Sequence, residues 1–255
     1  MFQNPQTPPM TKLKDISTMP PHGAEKETTK VKTAELVEKI HERQKILYAQ
    51  NQYSVLVVLQ GLDASGKDGV MNDVFSGLNL LGIEVTSFKT PTEEERRHDF
   101  LWRVHQRVPG TGTVGIFNRS HYEDVLVPRV EQWIDRKTVQ KRLAHINSFE
   151  QLLADSHTVV LKFYLHVSEE EQRERLAERM EDPAKFWKHN DGDWQVAAKR
   201  KAYYEAYEEI FEKCASPFPW HIVPADKNWH KNYVVAKATL EALEKLPLKY
   251  PGLKP

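Results

Sequence analysis

The run Gly61-Leu-Asp-Ala-Ser-Gly-Lys-Asp-Gly69 follows directly on the apolar stretch Ser54–Gln60 (SVLVVLQ) and opens an amphipathic segment at Gly66. A strand feeding a glycine-rich turn and then a helix is the context of a P-loop. The backbone N–H groups of Gly61, Ala64, Ser65, Gly66 and Gly69 can curl around phosphate oxygens, the helix N-terminus adds its positive dipole end, and Lys67 adds a point charge. Position 68 departs from the usual pattern: it is Asp, where Ser or Thr would lend a hydroxyl to magnesium. A second carboxylate, Asp63, lies inside the loop. Bare carboxylates in a phosphate cradle repel their ligand, so either they cap the turn and the helix or cations bridge them to phosphate. Mg²⁺ accounts for both together.

A second cluster, Asn118-Arg-Ser-His-Tyr-Glu-Asp124, ends the apolar run Val114–Phe117. Ligands of open parallel sheets gather outside the carboxyl ends of the strands, so the two clusters are expected to face one site. Arg119 is placed to hold a phosphoryl group, and Glu123 and Asp124 offer hard oxygens of the kind Mg²⁺ takes. His121 reads as a packing or hydrogen-bonding residue, since phosphoryl transfer depends mainly on positioning and charge neutralisation. Further on, Ser168–Trp194 carries Glu171, Arg175 and Arg179 at helical spacing, with Asp182-Pro183 restarting a helix. Its charge pattern alone describes a solvated helix. Its place after the fourth strand is where small P-loop kinases carry a lid, and arginines closing over a transferring phosphate are worth roughly 10³ to 10⁵ in rate. The glycines at 110, 112 and 115 spell GxGxxG but precede a strand, so they fail the dinucleotide-binding test.

The elements that must position these groups alternate. Strands are expected at Ser54–Gln60, Glu84–Phe88, Val114–Phe117, Thr158–Val167 and Trp220–Val223. Helices are expected at Gly66–Leu81, Thr92–Arg107, Glu131–Ala154, Ser168–Glu181, Trp194–Lys213 and Asn228–Leu246. Strand and helix in repeated alternation predict a three-layer α/β/α sandwich around a parallel five-stranded sheet. Ahead of it, Lys30–Gln50 has helical spacing, and residues 1–29, with five of the fifteen prolines, read as an extended arm packed on the body or on a neighbouring subunit. The domain expected to carry the chemistry is 30–255, its lid about 168–195.

Composition narrows the partners. Lys plus Arg and Asp plus Glu number 36 each, so no global field favours nucleic acid or an anionic membrane, and a phosphate site has to come from local clustering. Cys214 is the single cysteine, which excludes an intrachain disulfide and cysteine-rich zinc sites and fits a reducing cytoplasm. No apolar run reaches the roughly 20 residues that cross a bilayer, and the first thirty residues lack a signal-peptide run. The expectation is a cytoplasmic protein.

The motifs GxDxxGKD (Gly61–Asp68), FNRS-H-Y (Phe117–Tyr122) and the lid run Arg175–Lys188 with its Asp-Pro and Trp-Lys pairs resemble, in this order, the second family of polyphosphate kinases. The resemblance spans about Lys30–Tyr250. The HYED form, with Lys89-Thr-Pro-Thr-Glu-Glu94 upstream, is similar to the subgroup that phosphorylates both nucleoside mono- and diphosphates. The resemblance implies a thymidylate kinase-like P-loop fold with a helical lid, transferring the terminal phosphoryl group of inorganic polyphosphate to AMP or ADP with two Mg²⁺ ions. Residue by residue, it implies Asp63 and Asp124 at metal, and Asp63, Lys89, Asn118 and Glu123 at the nucleotide. It implies Lys67 and Asp68 in the P-loop function, and Arg119, Arg129, Arg175, Arg179 and Lys188 at polyphosphate and the reacting group. A homodimer or homotetramer is implied too. Two rivals stand beside this reading: an ATP-dependent nucleoside monophosphate kinase, against which Asp68 argues, and a silent phosphate-binding module, against which the retained carboxylates and Lys67 argue.

Overall fold

Burial without a break along Ser54–Gln60 (β1) puts this strand at the centre of the sheet, as a Val/Leu run covered on both faces requires. The computed structural model describes residues 12–190 and 192–252; the expected arm prolines Pro5, Pro8 and Pro9 and the last residues, 253–255, lie outside the described residues. Together with β2 (Ile83–Ser87), β3 (Val114–Asn118), β4 (Thr158–His166) and β5 (Trp220–Pro224), β1 forms one sheet ordered β2-β3-β1-β4-β5. Every pairing is parallel. The expected five-stranded parallel α/β architecture is therefore present, with each strand within one residue of its expected bounds.

The helices are α1 (Lys26–Gln50), α2 (Lys67–Val70), α3 (Glu93–Arg96), α4 (Trp102–His105), α5 (Glu123–Val130), α6 (Arg136–Asp155), α7 (Glu169–Glu181), α8 (Gly192–Ala198), α9 (Arg200–Lys213) and α10 (Asn228–Lys245). Alternate residues of β1 divide the core between them, as the two-residue period of a strand demands. Val55, Val57 and Leu59 pack with Ile40 and Leu47 of α1 and Val235 and Leu240 of α10. Leu56 and Val58 face Val125 of α5, Ile146 of α6 and Tyr207 of α9.

Helix bounds depart from expectation where polar punctuation cuts an amphipathic pattern. The expected helix Gly66–Leu81 is α2 continued as a π-helical turn, Met71–Phe75, and it ends before a separate 3₁₀ turn at Leu80–Gly82. Thr92–Arg107 holds two single-turn helices: α3 starts on a capping box between Thr92 and Glu95, and Asp99 accepts the Leu101 N–H at 2.9 Å just ahead of α4. The expected helix Glu131–Ala154 starts late, as α6 from Arg136, because Asp135 caps it through the Thr138 N–H, and α5, ahead of it, lies outside the expected helices. Trp194–Lys213 is divided at Lys199 into α8 and α9. The leading helix starts at Lys26, not Lys30. In the segment before it, Leu13 is fully buried. Its N–H donates to Glu208 at 2.8 Å, and the Thr18 hydroxyl donates to Asp226 at 2.6 Å, so this stretch is tied to α9 and to the turn after β5.

A buried polar network underlies the turn after β3. Lys162, with no exposed surface, donates to Glu150 at 2.6 Å and to the Cys214 carbonyl at 2.7 Å, while Tyr122 donates to Glu150 at 2.7 Å and His121 Nε2 lies 3.2 Å from the same carboxylate. His121 is thus the hydrogen-bonding residue expected. Burial alone would raise the Glu150 carboxyl, but Lys162 and His121 hold it below its ordinary value. The stabilisation from this ionised group is therefore complete above the usual glutamate range and is lost as pH falls through its lowered pKa. Lys162→Met is expected to cost about 3 to 5 kcal/mol in a urea unfolding experiment, since it strands a buried carboxylate, and adding Glu150→Leu should recover much of it. A loss under about 1 kcal/mol in the single variant would remove the network from the stability argument.

Candidate active site

The turn from β1 to α2 is built by side chains that take its carbonyls from outside. Lys67 Nζ donates to the Gly61 and Leu62 carbonyls at 2.8 and 3.2 Å. Gln172 of α7 donates to the Asp63 carbonyl at 2.9 Å, Arg175 of α7 to the Ala64 carbonyl at 3.0 Å, and Lys231 of α10 to the Gly66 carbonyl at 3.1 Å. With these carbonyls engaged, the loop is free to offer its N–H groups to an anion. Gly66 sits at φ +93° as the cap of α2, and a Cβ there would lie 2.2 Å from Lys231 Nζ; a Cβ on Gly61 would lie 2.8 Å from the Leu165 carbonyl. Only glycine meets both constraints at Gly66.

The loop and the turn after β3 do come together. Arg119, itself at φ +63°, ion-pairs with Asp63 and lies 3.8 Å from Glu123 on its other side. Its N–H donates to the Leu59 carbonyl of β1, so the left-handed turn is what aims the guanidinium at the P-loop. Asp68 accepts from Asn118 Nδ2 at 3.0 Å and from Lys188 Nζ at 3.0 Å. A cavity of about 680 Å³ opens here, lined among others by Asp63, Lys67, Asp68, Lys89, Arg119 and Lys188. A larger cavity of about 940 Å³, between Lys12, Trp194 and Tyr204, shares none of these groups.

Burial dominates the electrostatics. It pushes the Lys67 ammonium down to about 8, helped by the neighbouring Arg119 charge and opposed by Asp63 and Glu123. Burial likewise raises the Glu123 carboxyl, against the pull of Arg119 and Lys67. For Asp68 burial is again the largest single influence and would raise it, but Lys188 and Asn118 together outweigh it and hold the carboxyl below the usual aspartate value.

Several expected ligands stand elsewhere. Asp124 does not line the cavity; its carboxylate takes the Arg103 guanidinium at 2.8 Å, while Arg103 also donates to the Lys89 carbonyl at 2.8 Å and lies over the Phe88 ring. It braces the loop that carries Lys89, and its carboxylate is occupied by that task. Arg129, on α5, pairs with Glu209 at 2.5 Å and is also outside the cavity. Arg175 lines the cavity, yet all three of its nitrogens are spent on the protein: Glu171, the Ala64 carbonyl, and the carbonyls of Ala225 and Asp226. It is a clamp between α7 and the loop after β1. Arg179 lines the cavity and pairs with Asp193 at 2.6 Å.

The donor set fits magnesium. Asp63 and Glu123 flank the Arg119 guanidinium and Asp68 is a few residues along the same loop, so hard carboxylate oxygens of the kind Mg²⁺ takes stand beside the cations. Among the described residues no three His, Cys, Asp or Glu side chains form a ready-made cage; Mg²⁺ needs none, since it binds through one or two carboxylates plus substrate phosphates and water.

Sequence reasoning missed Gln172, Arg103 and Lys231. Lys231 left a signal: it occupies the row Lys231, Val235, Thr239 along α10, all buried, where a lysine is out of place unless it has a partner.

Comparison with known proteins places these features. The family described as Polyphosphate kinase 2 matches residues 23–250. The chain is 48% identical over 219 residues to the AMP/ADP-polyphosphate phosphotransferase of Meiothermus ruber, covering 86% of this chain and 82% of that protein. It is 38% identical over 236 residues to the ADP-polyphosphate phosphotransferase of Rhodopseudomonas palustris, covering 86% and 80%. The crystal structure of Polyphosphate Kinase 2 from Arthrobacter aurescens superposes with a TM-score of 0.92 at 37% identity, over 95% of this chain and 88% of that one.

Proposed function

Given that the chain belongs to the polyphosphate kinase 2 family, we propose that it transfers the terminal phosphoryl group of inorganic polyphosphate to nucleoside mono- and diphosphates, AMP to ADP and ADP to ATP. The observation that carries this reading is the convergence, at the carboxyl ends of β1 and β3, of Lys67, Arg119 and Lys188 with the carboxylates Asp63 and Asp68 in one cavity, while Glu123 does not line it and lies 3.8 Å from Arg119. A phosphate oxygen of the acceptor attacks the terminal phosphorus of the polymer. The bond to the penultimate phosphate breaks, and the polymer leaves one unit shorter. The attacking oxygen is already an anion, so no general base is needed, and the barrier is dominated by repulsion between two polyanions.

The residues present answer that repulsion. The loop N–H groups and Lys67 hold one phosphate, and Arg119 reaches the same space from β3. Lys188 and Arg179 approach from the lid. Each of these cations except Lys67 is paired with a carboxylate, so entering phosphates exchange one anionic partner for another and the charges stay compensated throughout. Asp63 and Glu123, with Asp68, would hold Mg²⁺, two ions in this reading, which would supply positive charge against the charge that develops on phosphate. Lys89 and Asn118 face the nucleotide. One phosphoanhydride replaces another, so the direction follows concentrations. Residues 30–255 form the transferase domain in this reading, with 168–195 its lid and 1–29 an arm. The protein is read as cytoplasmic and as a homodimer or homotetramer, for which light scattering is the measurement. Among the described residues no helix is long and apolar enough to cross a membrane.

The deciding assay supplies AMP and Mg²⁺ with either polyphosphate or ATP as donor, using protein freed of endogenous polymer. ADP and then ATP are expected from polyphosphate. Transfer from ATP alone would make the protein an ATP-dependent nucleotide kinase instead.

A further inference from the structure

Lys231 is a charged side chain that the mechanism above does not use. It lies on α10 with no exposed surface. Its ammonium donates to the Gly66 carbonyl at 3.1 Å and to Asn228 Oδ1 at 2.8 Å, and both partners are uncharged. It would sit 2.2 Å from a Cβ on Gly66 and 3.8 Å from one on Gly69, so it lies directly beneath the N-terminal turn of α2, on the protein side of the loop. Among the described residues no salt bridge neutralises it: Asp73, which points towards this region, is taken by Asn232 at 2.6 Å, and Glu171 is taken by Arg175 at 2.9 Å. Burial, reinforced by the charge of Arg175, drives its ammonium down to about 7.

A buried cation bonded only to neutral acceptors costs stability, because neutral partners replace lost hydration poorly. Retaining it beneath a phosphate cradle has a physical rationale in the cradle. The bond to the Gly66 carbonyl fixes the peptide that joins Gly66 to Lys67, and since the C=O and N–H of a trans peptide point opposite ways, holding the carbonyl from the protein side turns the Lys67 N–H away from Lys231. The positive charge adds to the helix-terminal dipole at the same point.

We propose that Lys231 is a positioning residue for phosphoryl transfer: its ammonium pins the Gly66 carbonyl from behind and so sets the P-loop N–H groups for the bound phosphate. The inference rests on the phosphotransferase reading above and adds to it a residue outside every motif of the sequence. Lys231 does not itself touch substrate.

The test compares wild type, Lys231→Met and Lys231→Gln in polyphosphate-dependent ADP formation and in thermal unfolding, with tripolyphosphate binding by calorimetry as a second readout. Lys231→Met is expected to lower kcat/KM at least about 30-fold and to weaken tripolyphosphate, while its Tm stays level or rises because an uncompensated buried charge has gone. Lys231→Gln keeps a donor for the Gly66 carbonyl and is expected to recover part of the loss. A Lys231→Met enzyme within about threefold of wild type, a fall in Tm that accompanies the activity loss, or a Gln variant no better than Met would each overturn the proposal. Should Lys231→Met fail to fold, Lys231→Gln carries the test: its shorter, neutral donor is expected to lower kcat/KM severalfold at unchanged Tm, and wild-type kinetics there would overturn the proposal. If wild type itself does not use polyphosphate, the phosphotransferase reading fails, which is a different outcome from wild-type activity left intact by the substitution.

Discussion

Lys67→Ala should lower kcat by at least about 10² and leave the fold standing. The loss follows from the removal of a cation from a low-dielectric site, where one preorganised electrostatic contact is worth roughly 10² to 10³ in turnover. The intact fold follows from the direction of the Lys67 shift. Its pKa is depressed on folding, so the folded chain disfavours the charged form, and losing that charge gives up no electrostatic stability. Lys67 also spends its ammonium on the Gly61 and Leu62 carbonyls, so some loosening of the loop should show as a raised KM for polyphosphate. Turnover within about tenfold of wild type, with unchanged thermal unfolding, would take Lys67 out of the transferring machinery.

Excess chelator should abolish transfer, by about 10³ or more, and added Mg²⁺ should restore it. Asp63→Asn should reproduce at least about 10² of that loss at saturating Mg²⁺. Asp63 holds Arg119 and neighbours Glu123, so its replacement both weakens the oxygen set available to the ion and releases the guanidinium. The two effects separate on titration: a lost ion ligand moves the Mg²⁺ midpoint upward, while a released Arg119 alone leaves the midpoint unchanged. Undiminished transfer in the presence of chelator would overturn the view that the carboxylates serve a cation.

The loop and the turn after β3 were legible in the sequence because each is a contiguous run tied to a strand end, and a parallel sheet brings strand ends together whatever the intervening helices do. The central strand was legible for a related reason: a continuous apolar run such as β1 has one reading in a doubly covered sheet, whereas the edge strand β2 (IEVTS), largely exposed, was legible from its β-branched residues. Helix bounds were less so. Single polar residues such as Asp99 and Asp135 end or start a turn through a side-chain bond, and neither disturbs the surrounding periodicity.

Asp124 and Arg175 illustrate the deeper limit. Both have the chemistry for phosphate or metal, and both are engaged elsewhere: Asp124 by Arg103, Arg175 by carbonyls of two loops. Arg103 lies 21 residues before its partner, Asp124, and Arg175 meets Ala64 across 111 residues, separations that no local pattern encodes. The order of motifs in the chain was enough to determine a glycine-rich loop at one strand end, a facing turn that carries Arg119 at another and the sheet that joins them, because these depend on backbone conformation and nearest neighbours. Which of the charged groups face the cavity and which brace it was decided only by tertiary packing, since a charge takes its role from the partners that burial leaves within reach.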